Sequence, residues 1–318
     1  MPASLPGLLT SSVIHNRLFK SNVWVSCIFA RMKRKTAEAL AIAYHRWRIE
    51  LIGLFSPRLA AQKAYLLFTV PPPPRKPLPH PQLEESKAID FNFRDFTVRG
   101  YRWEPHQANG KKVLLAHGFR SYGLKFEHLA KALIEKGYTV FAFDAPAHGN
   151  SEGKKVEAIS YRDMILEADR IYGPFVAGVG HSFGGLSLAL ASEKFAEPAG
   201  RKIIFIAPAT ETSRSIGDLF RIIPVRQVIR DAFFDLVKEM AKFPVSHFSV
   251  NRVVQSTPCS VLWIHDENDE ICPLSDLQPS LDKHPANVQF LITKGLGHNQ
   301  VYKDPGVVSH LVEFINNP

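Results

Sequence analysis

The N-terminal part of the chain shows the period of an α-helix. Between Thr36 and Phe55, large apolar residues recur every three or four positions, at Leu40, Tyr44, Trp47, Leu51 and Phe55. These positions share one face of a helix, and the charged residues lie on its other faces. Ser56 and Pro57 predict the N-cap and first turn of a second helix that reaches about Leu67. Seven prolines between residues 71 and 81 predict an extended spacer, because proline cannot continue a helix.

From about Ala88 onward, short apolar runs alternate with helical patterns. The apolar runs predict strands over residues 88–93, 96–103, 113–116, 139–143, 175–179, 203–206, 261–265 and 288–292. The helical patterns cover residues 126–136, 160–171, 183–194, 274–281 and 306–315. This alternation predicts an α/β fold, with a mostly parallel central sheet flanked by helices and its first two strands paired as a hairpin.

One long insertion interrupts the alternation. Residues 211–258 follow the sixth predicted strand and contain helical stretches rich in apolar and aromatic side chains. An insertion of this size predicts a helical lid over a site rather than a plain connection. The chain therefore divides into a basic N-terminal helical extension with its proline-rich linker, residues 1–82, and a main domain, residues 83–318, that contains the lid.

The net charge of +9 belongs to the extension. Residues 1–80 hold twelve Lys or Arg and two acids, so the remaining chain carries about −1. Because an enzyme that acts on nucleic acid carries positive charge around its cleft, the near-neutral main domain argues against a nucleic-acid partner and favours a small-molecule substrate. Three scattered cysteines, Cys27, Cys259 and Cys272, form neither a disulfide framework nor a metal-ligand pattern, which predicts a reducing, cytoplasmic location.

The basic N-terminal helix has two interpretations. Packing on the main domain as an apolar brace is favoured, because this is the commoner fate of amphipathic helices, and the alternative is peripheral contact with an anionic membrane surface. The apolar run Val23–Ala30 is too short to span a bilayer and has no convincing cleavage site. Met32 opens a basic, helix-prone run, which makes residues 1–31 a candidate over-extension of the reading frame.

The strongest chemical signal is the segment from Gly180 to Gly185, Gly-His-Ser-Phe-Gly-Gly, between a predicted strand and a predicted helix. A chain that reverses this sharply has no room for side chains two positions before and after its central residue, and glycine occupies both. The turn lifts the Ser182 hydroxyl above the sheet at a helix N-terminus, where backbone N–H groups favour developing negative charge. Ser182 is therefore the predicted nucleophile.

A serine hydroxyl needs a base, and the loops after the last two strands supply one. His298 follows the last predicted strand in a glycine-bearing loop, and Asp269 follows the preceding strand at the same edge of the sheet. Asp269 is predicted to fix the imidazole tautomer of His298 and to stabilise the imidazolium. Asp266 remains a rival for this role, although Asp269 is favoured because it lies farther into the loop.

Backbone N–H groups of Phe119 and Phe183 are the predicted oxyanion-hole donors, since Phe119 follows a strand through a glycine and Phe183 follows the nucleophile. Asp144 is predicted to belong to a rigid turn, and Cys272 to be a small filler in its loop rather than a reactive thiol. Four histidines beside the motif loops are predicted to make structural hydrogen bonds, namely His117, His148, His181 and His265.

These motifs together resemble the α/β-hydrolase superfamily, in its lidded serine esterase- and lipase-like branch. The resemblance runs from about Ala88 to Ile315 and is carried by five segments in order: 115–119, 144–151, 180–185, 266–273 and the loop before His298. The order Ser, Asp, His along the chain is also the one that this fold uses. Two residues depart from the usual pattern, Ala147 in place of a glycine and Cys272 in place of an aliphatic residue.

The resemblance implies a serine hydrolase that cleaves a carboxylic ester through an acyl-enzyme, without metal or organic cofactor. The apolar side chains of the predicted lid favour a small or medium apolar acyl substrate. The same residues also serve thioesterases, acyltransferases and C–C bond hydrolases. From a different class, a ligand-binding protein that retains the scaffold with little turnover remains an alternative.

Overall fold

The computed structural model describes residues 34–72 and 80–317 and contains an eight-stranded sheet. Its strands are β1 (Ser86–Phe93), β2 (Phe96–Trp103), β3 (Lys112–Ala116), β4 (Thr139–Phe143), β5 (Ala177–His181), β6 (Lys202–Ile206), β7 (Ser260–Asp266) and β8 (Val288–Thr293). Their spatial order is β1-β2-β4-β3-β5-β6-β7-β8. β2 pairs antiparallel with β1 and β4, and every other pair is parallel.

Helices cover both faces of this sheet. The α-helices of the described residues are α1 (Arg34–Phe55), α2 (Pro57–Thr69), α3 (Glu127–Ile134), α4 (Ala158–Tyr172), α5 (Phe183–Ser192), α6 (Thr212–Ile222), α7 (Gln227–Ala241), α8 (Val250–Val254), α9 (Gln278–Lys283), α10 (Gly297–Gln300) and α11 (Pro305–Asn316). The predicted fold class is confirmed: a mostly parallel sheet, an N-terminal helical part, and a helical insertion, α6–α8, after the sixth strand.

The sheet separates two apolar cores, because alternate residues of each strand point to opposite faces. On β7, Trp263 belongs to the same core as Leu114 of β3, whereas Leu262 belongs to the other core, with Leu115. α4 and α5 cover the first core, and α3 and α11 cover the second. Burial on both faces explains why the parallel strands read as continuous apolar runs.

Several element boundaries differ from the sequence prediction by one or two residues, and two of the differences have a clear physical reason. β5 begins at Ala177, two residues later than expected, and includes two glycines that strand propensity disfavours. Gly178 is accommodated because α5 packs closely there, where an added Cβ would lie 2.9 Å from a methyl group of Leu188. The helix predicted over residues 274–281 is divided into a 3₁₀ turn, Leu274–Leu277, and α9, since Pro279 lacks an N–H and starts a new helix.

α1 and α2 form a hairpin that packs on the insertion. Ile49, Ala61 and Ala64 are buried against side chains of α6 and α7, including Phe233. α1 reaches α7 so closely that a Cβ on Gly53 would lie 2.5 Å from a carbon of Ile229. The hairpin thus acts as the predicted brace, but it packs through a face that differs from the apolar stripe of the sequence pattern.

Several sequence predictions lie outside the described residues. They concern the apolar run Val23–Ala30, the start at Met32, Cys27 and most of the proline-rich spacer. Within the two described ranges, no helix has the length and hydropathy needed to cross a membrane.

Phe233 is the apolar anchor between the insertion and the hairpin. It is 0% exposed and its ring packs against Tyr65, Phe68 and Phe220. We expect Phe233→Ala to lower the free energy of unfolding by about 3–5 kcal/mol, through lost apolar contact and the cavity that remains. Urea unfolding followed by circular dichroism measures this change.

The neighbouring Phe234 provides the matched control, because it is the same residue type at 38% exposure. Phe234→Ala is expected to change the free energy of unfolding by less than about 1 kcal/mol. Equal losses in the two variants would contradict the assignment of Phe233 as the anchor.

Candidate active site

Ser182 lies at the turn between β5 and α5, with φ of 53° and ψ of −120°. A residue other than glycine rarely adopts this positive φ, so the serine backbone is strained. Its glycine neighbours make the turn possible. A Cβ on Gly180 would lie 2.7 Å from the carbonyl oxygen of Gly184, and one on Gly184 would overlap the carbonyl oxygen of Ala116. Neither position accepts a side chain, which explains the glycine spacing around the serine.

The backbone around Ser182 is held by hydrogen bonds on both sides. Its N–H donates to the carbonyl of Ile206 at 3.1 Å, and its carbonyl accepts from Gly185 and Ala209 at 3.0 and 2.9 Å. The serine hydroxyl does not cap α5 and instead lies beside the Cys272 thiol. The strained turn is therefore fixed by the sheet, while the hydroxyl is left for other contacts.

His298 and Asp269 meet as the sequence predicts. The ring of His298 is buried on α10, and its Nδ1 donates to Oδ2 of Asp269 at 2.8 Å. The other oxygen of Asp269 accepts from the N–H groups of Ile271 and Cys272 at 2.9 and 2.8 Å. Burial opposes the charge on Asp269, but the His298 ring and the Cys272 N–H outweigh it and lower the pKa of the carboxyl.

The His298 ring lies next to the turn that carries Ser182. Its centroid is 4.7 Å from that of His181, and Nε2 of His181 donates to the carbonyl of His298 at 2.9 Å. Among the hydrogen bonds of the described residues, none joins the Ser182 hydroxyl to His298. In serine hydrolases generally, the hydrogen bond between nucleophile and base is often long without substrate and shortens when substrate binds.

Asp266, the rival acid, has a different set of partners. One oxygen accepts from the N–H groups of Asn268 and Gly297, and the other accepts from the N–H of Leu296 and the hydroxyl of Thr293, all at 2.8–3.0 Å. Burial opposes its ionisation, but the Gly297 N–H and these other donors lower the pKa of Asp266. Asp266 therefore ties the acid loop to the loop that carries His298, and the carboxylate beside the imidazole is that of Asp269.

The predicted oxyanion donors lie on two neighbouring segments. The rings of Phe119 and Phe183 are 6.1 Å apart, edge to face. Within the described part of the chain, neither backbone N–H donates a hydrogen bond to another residue. Free N–H groups at a helix N-terminus and beside it can stabilise an oxyanion.

Two buried histidines hold the segment that carries Phe119. His117 donates from Nδ1 to the carbonyl of Gly118 at 2.8 Å and accepts from the N–H of Ala145 at 2.9 Å. His148 accepts from the N–H of Arg120 at 3.1 Å. Burial, with the nearby His148, lowers the pKa of His117 to about 3, so its ring is neutral and can use one nitrogen as donor and the other as acceptor.

Asp144 and His265 also make structural contacts. The carboxylate of Asp144 accepts from the N–H groups of Gly123 and Asn150, each at 2.7 Å, and so closes the turn predicted for it. Nε2 of His265 donates to the carbonyl of Cys272 at 2.6 Å, which supports the loop that carries Asp269.

Cys272 is buried beside the site as a protonated thiol. Burial, followed by the charges of Asp269 and Asp276, raises the pKa of the thiol to about 12. A thiol with this pKa holds little thiolate near neutral pH and is a poor nucleophile.

A cavity of about 590 Å³ lies over Ser182. Besides the serine and its neighbours, the cavity is lined by α6 and α7 of the insertion, including Leu219, Ile222, Val237 and Met240. α2 supplies a further wall through Leu67 and Phe68, which the sequence analysis did not assign to the site. Nothing in the local sequence of α2 signals this role, because it depends on a contact with α7 more than 150 residues away.

The amino-acid sequence matches a family model described as serine aminopeptidase, S33, over residues 107–242. This match includes Ser182 and ends before Asp269 and His298. A putative esterase/lipase from Mycoplasma pneumoniae is 26% identical over 251 residues, which cover 68% of this chain and 93% of that protein. Human monoglyceride lipase is 25% identical over 133 residues, 39% of this chain and 43% of that protein.

Solved structures show the same fold. An esterase from Pyrococcus furiosus superposes with a TM-score of 0.58 at 20% identity, covering 77% of this chain and 98% of that one. A monoacylglycerol lipase from Paleococcus ferrophilus gives a TM-score of 0.51 at 21% identity, covering 68% and 98%. With its mostly parallel sheet and the turn at Ser182, the chain has the α/β-hydrolase fold and is similar to esterases and lipases with that fold.

Proposed function

We propose that this hydrolase cleaves carboxylic esters through an acyl-enzyme formed on Ser182. The observation that carries the proposal is the buried pair of His298 and Asp269, 2.8 Å apart, beside a serine on a strained turn. Asp269 holds Nδ1 of His298 as the donor, which leaves Nε2 unprotonated and able to accept a proton.

In the first half-reaction, Oγ of Ser182 attacks the ester carbonyl carbon and its proton passes to Nε2 of His298. The carbonyl oxygen becomes an oxyanion, which the N–H groups of Phe119 and Phe183 stabilise. The C–O bond to the alcohol then breaks, and the alcohol leaves with the proton from His298. Water repeats these steps on the acyl-enzyme, which releases the carboxylic acid and restores Ser182.

The cavity over Ser182 supports an apolar acyl group of small or medium size. Its walls are mainly apolar, and cavities of about 300–1,000 Å³ hold small organic ligands. The names of the relatives, esterases and monoacylglycerol lipases, agree with an ester substrate. The cytoplasmic location and the independence from any cofactor stay predictions from the sequence.

The alternative functions of this scaffold differ in their substrate, in the acceptor of the acyl group, or in their reactivity with a serine-directed probe. Thioesterases and C–C bond hydrolases would form the same acyl-enzyme from another substrate, and an acyltransferase would pass it to an alcohol or amine rather than to water. A ligand-binding protein would not react with a serine-directed probe. The first experiment therefore tests the nucleophile.

We expect a fluorophosphonate probe to label the protein at Ser182. Ser182→Ala should abolish labelling and lower kcat for p-nitrophenyl butyrate by about 10⁶-fold, since no other nucleophile replaces the hydroxyl. Cys272→Ala is the control, because its neutral thiol adjoins the serine without acting as nucleophile, and this variant should still be labelled. A folded wild-type protein that resists labelling would refute the proposal.

The two carboxylates are expected to differ in what they affect. Asp269→Asn should lower kcat by about 10⁴-fold, because an amide presents N–H to Nδ1 of His298 and favours the wrong tautomer. Asp266→Asn should lower the free energy of unfolding by about 1–3 kcal/mol, because the NH₂ group of asparagine would replace one of the two acceptor oxygens and would face N–H donors. Steady-state kinetics of both variants measure kcat, and their thermal melts measure stability. A large loss of kcat in Asp266→Asn with little loss in Asp269→Asn would make Asp266 the carboxylate that orients His298.

The wall from α2 predicts a change in chain-length preference. Leu67→Trp adds volume inside the cavity and should reduce kcat/KM for p-nitrophenyl decanoate at least about tenfold more than for p-nitrophenyl acetate. Leu66→Trp is the matched control, since Leu66 is exposed and does not line the cavity. Similar chain-length profiles for the two variants would place the acyl group elsewhere.

A further inference from the structure

α1 presents a row of large apolar side chains to solvent. We call the row the outer stripe and define it as Leu40, Tyr44, Trp47, Leu51, Leu54 and Phe55, which are between 38% and 86% exposed. Five of the six are the residues whose spacing predicted an amphipathic helix. Single exposed apolar residues are ordinary, but a continuous row along one helix face usually marks a contact surface.

The outer stripe is not the face that packs on the protein. Ile49 and Gly53, which contact the insertion, lie on the opposite side of α1. No side chain in the described ranges covers the outer stripe, whose members are exposed in the folded chain. Three more exposed apolar residues extend the apolar surface of the same hairpin, namely Leu59 and Leu66 of α2 and Val70 directly after it.

The charge of this part of the chain favours a negatively charged partner. Residues 1–80 contain twelve Lys or Arg and only two acids, whereas the rest of the chain is nearly neutral. Of the two acids, Glu50 is paired with Arg226 of the main domain at 2.6 Å. Arg48 borders the outer stripe, with its guanidinium 5.4 Å from the centre of the Tyr44 ring. An apolar helix face with Trp and Tyr beside basic residues matches the composition of helices that lie in a lipid headgroup region.

We propose that the outer stripe docks on the surface of an anionic phospholipid bilayer. Apolar side chains enter the headgroup region, and the basic residues of the extension are attracted to the negative surface. Docking in this way needs no spanning helix and no catalytic residue.

The hairpin also connects the docking surface to the cavity over Ser182. Leu67 and Phe68 of α2 line that cavity, and so do Ile222 and Met240, two residues of the insertion that are themselves exposed. The hairpin therefore carries the docking surface on one helix and contributes a wall of the cavity from the other.

Co-sedimentation of the full chain with vesicles tests the proposal. We expect binding to vesicles of phosphatidylcholine with phosphatidylglycerol, weaker binding to phosphatidylcholine alone, and a decrease as salt rises. The double variant Leu51→Glu, Leu54→Glu should bind anionic vesicles at least about tenfold more weakly. Ile171→Glu is the matched control, since Ile171 is 40% exposed on α4, close to the 42% of Leu51, and it should bind like wild type.

Tryptophan quenching identifies the contact. In a Trp24→Phe background, Trp47 is the exposed indole, because Trp103 and Trp263 are buried in the sheet cores. Brominated lipid in anionic vesicles should quench Trp47 fluorescence, and Trp47→Phe should remove the quenched component.

Three results would overturn the proposal. They are the absence of wild-type binding to anionic vesicles, equal binding by the double variant and wild type, and a self-associated protein that the double variant converts to monomer, which would make a second copy the partner. Hydrolysis of soluble p-nitrophenyl acetate, measured on the same samples, should be equal in wild type and the double variant. This activity reports on the proposed function separately from the docking.

Discussion

The reversal of the chain at Ser182 is the constraint on which the site depends. A serine backbone at φ 53° costs on the order of 1–3 kcal/mol, and it persists only where the surroundings fix it. The surroundings here are β6, which pairs with β5 and accepts a hydrogen bond from the serine N–H, and α5, which begins directly after the turn. The sheet thus stabilises a conformation that the isolated segment would avoid, and the same turn exposes the hydroxyl and frees the N–H of Phe183.

Two buried, uncharged histidines, His181 and His117, lie close to this turn. Burial is the main cause that lowers the pKa of His181 to about 3, and the neighbouring His298, whose ring centroid is 4.7 Å away, lowers it further. His181 is therefore uncharged. A charged imidazole at that position would oppose the imidazolium that the proposed mechanism forms on His298. His117 is held neutral by the same cause. The negative charge of Asp269 is therefore left to act on His298.

The sequence predicted the parts of the site that local geometry determines. The strand, the glycine turn and the helix around Ser182 follow from the steric limits of six consecutive residues, and strand order brings the loops of Asp269 and His298 to one sheet edge. The structural role of Asp266 could not be predicted in this way. It depends on contacts with Leu296 and Gly297, about thirty residues farther along the chain, whose N–H groups carry no side-chain signal.

The same limit applies to α1. Helical periodicity correctly identified an apolar stripe, but it contains no information on which side of a helix meets a partner. The buried side is instead determined by small residues: Gly53 permits close approach to Ile229, and the alanines of α2 permit close approach to the insertion. Such fit between distant surfaces becomes visible only when both are in place.

The packing of the hairpin also bears on how the cavity opens. The ion pairs Glu50–Arg226 and Arg58–Glu239 join the hairpin to α7 and to its N-cap residue. Both pairs are partly or largely exposed, and such pairs contribute about 0–1 kcal/mol each. Burial of Phe233 between the two units contributes several times more. Lifting the insertion away from the hairpin would expose this aromatic cluster to water, whereas movement of exposed residues such as Ile222 and Met240 would not. Substrate entry through the existing apolar opening therefore costs less free energy than displacement of the whole insertion, and the hairpin and the insertion behave as one wall of the site.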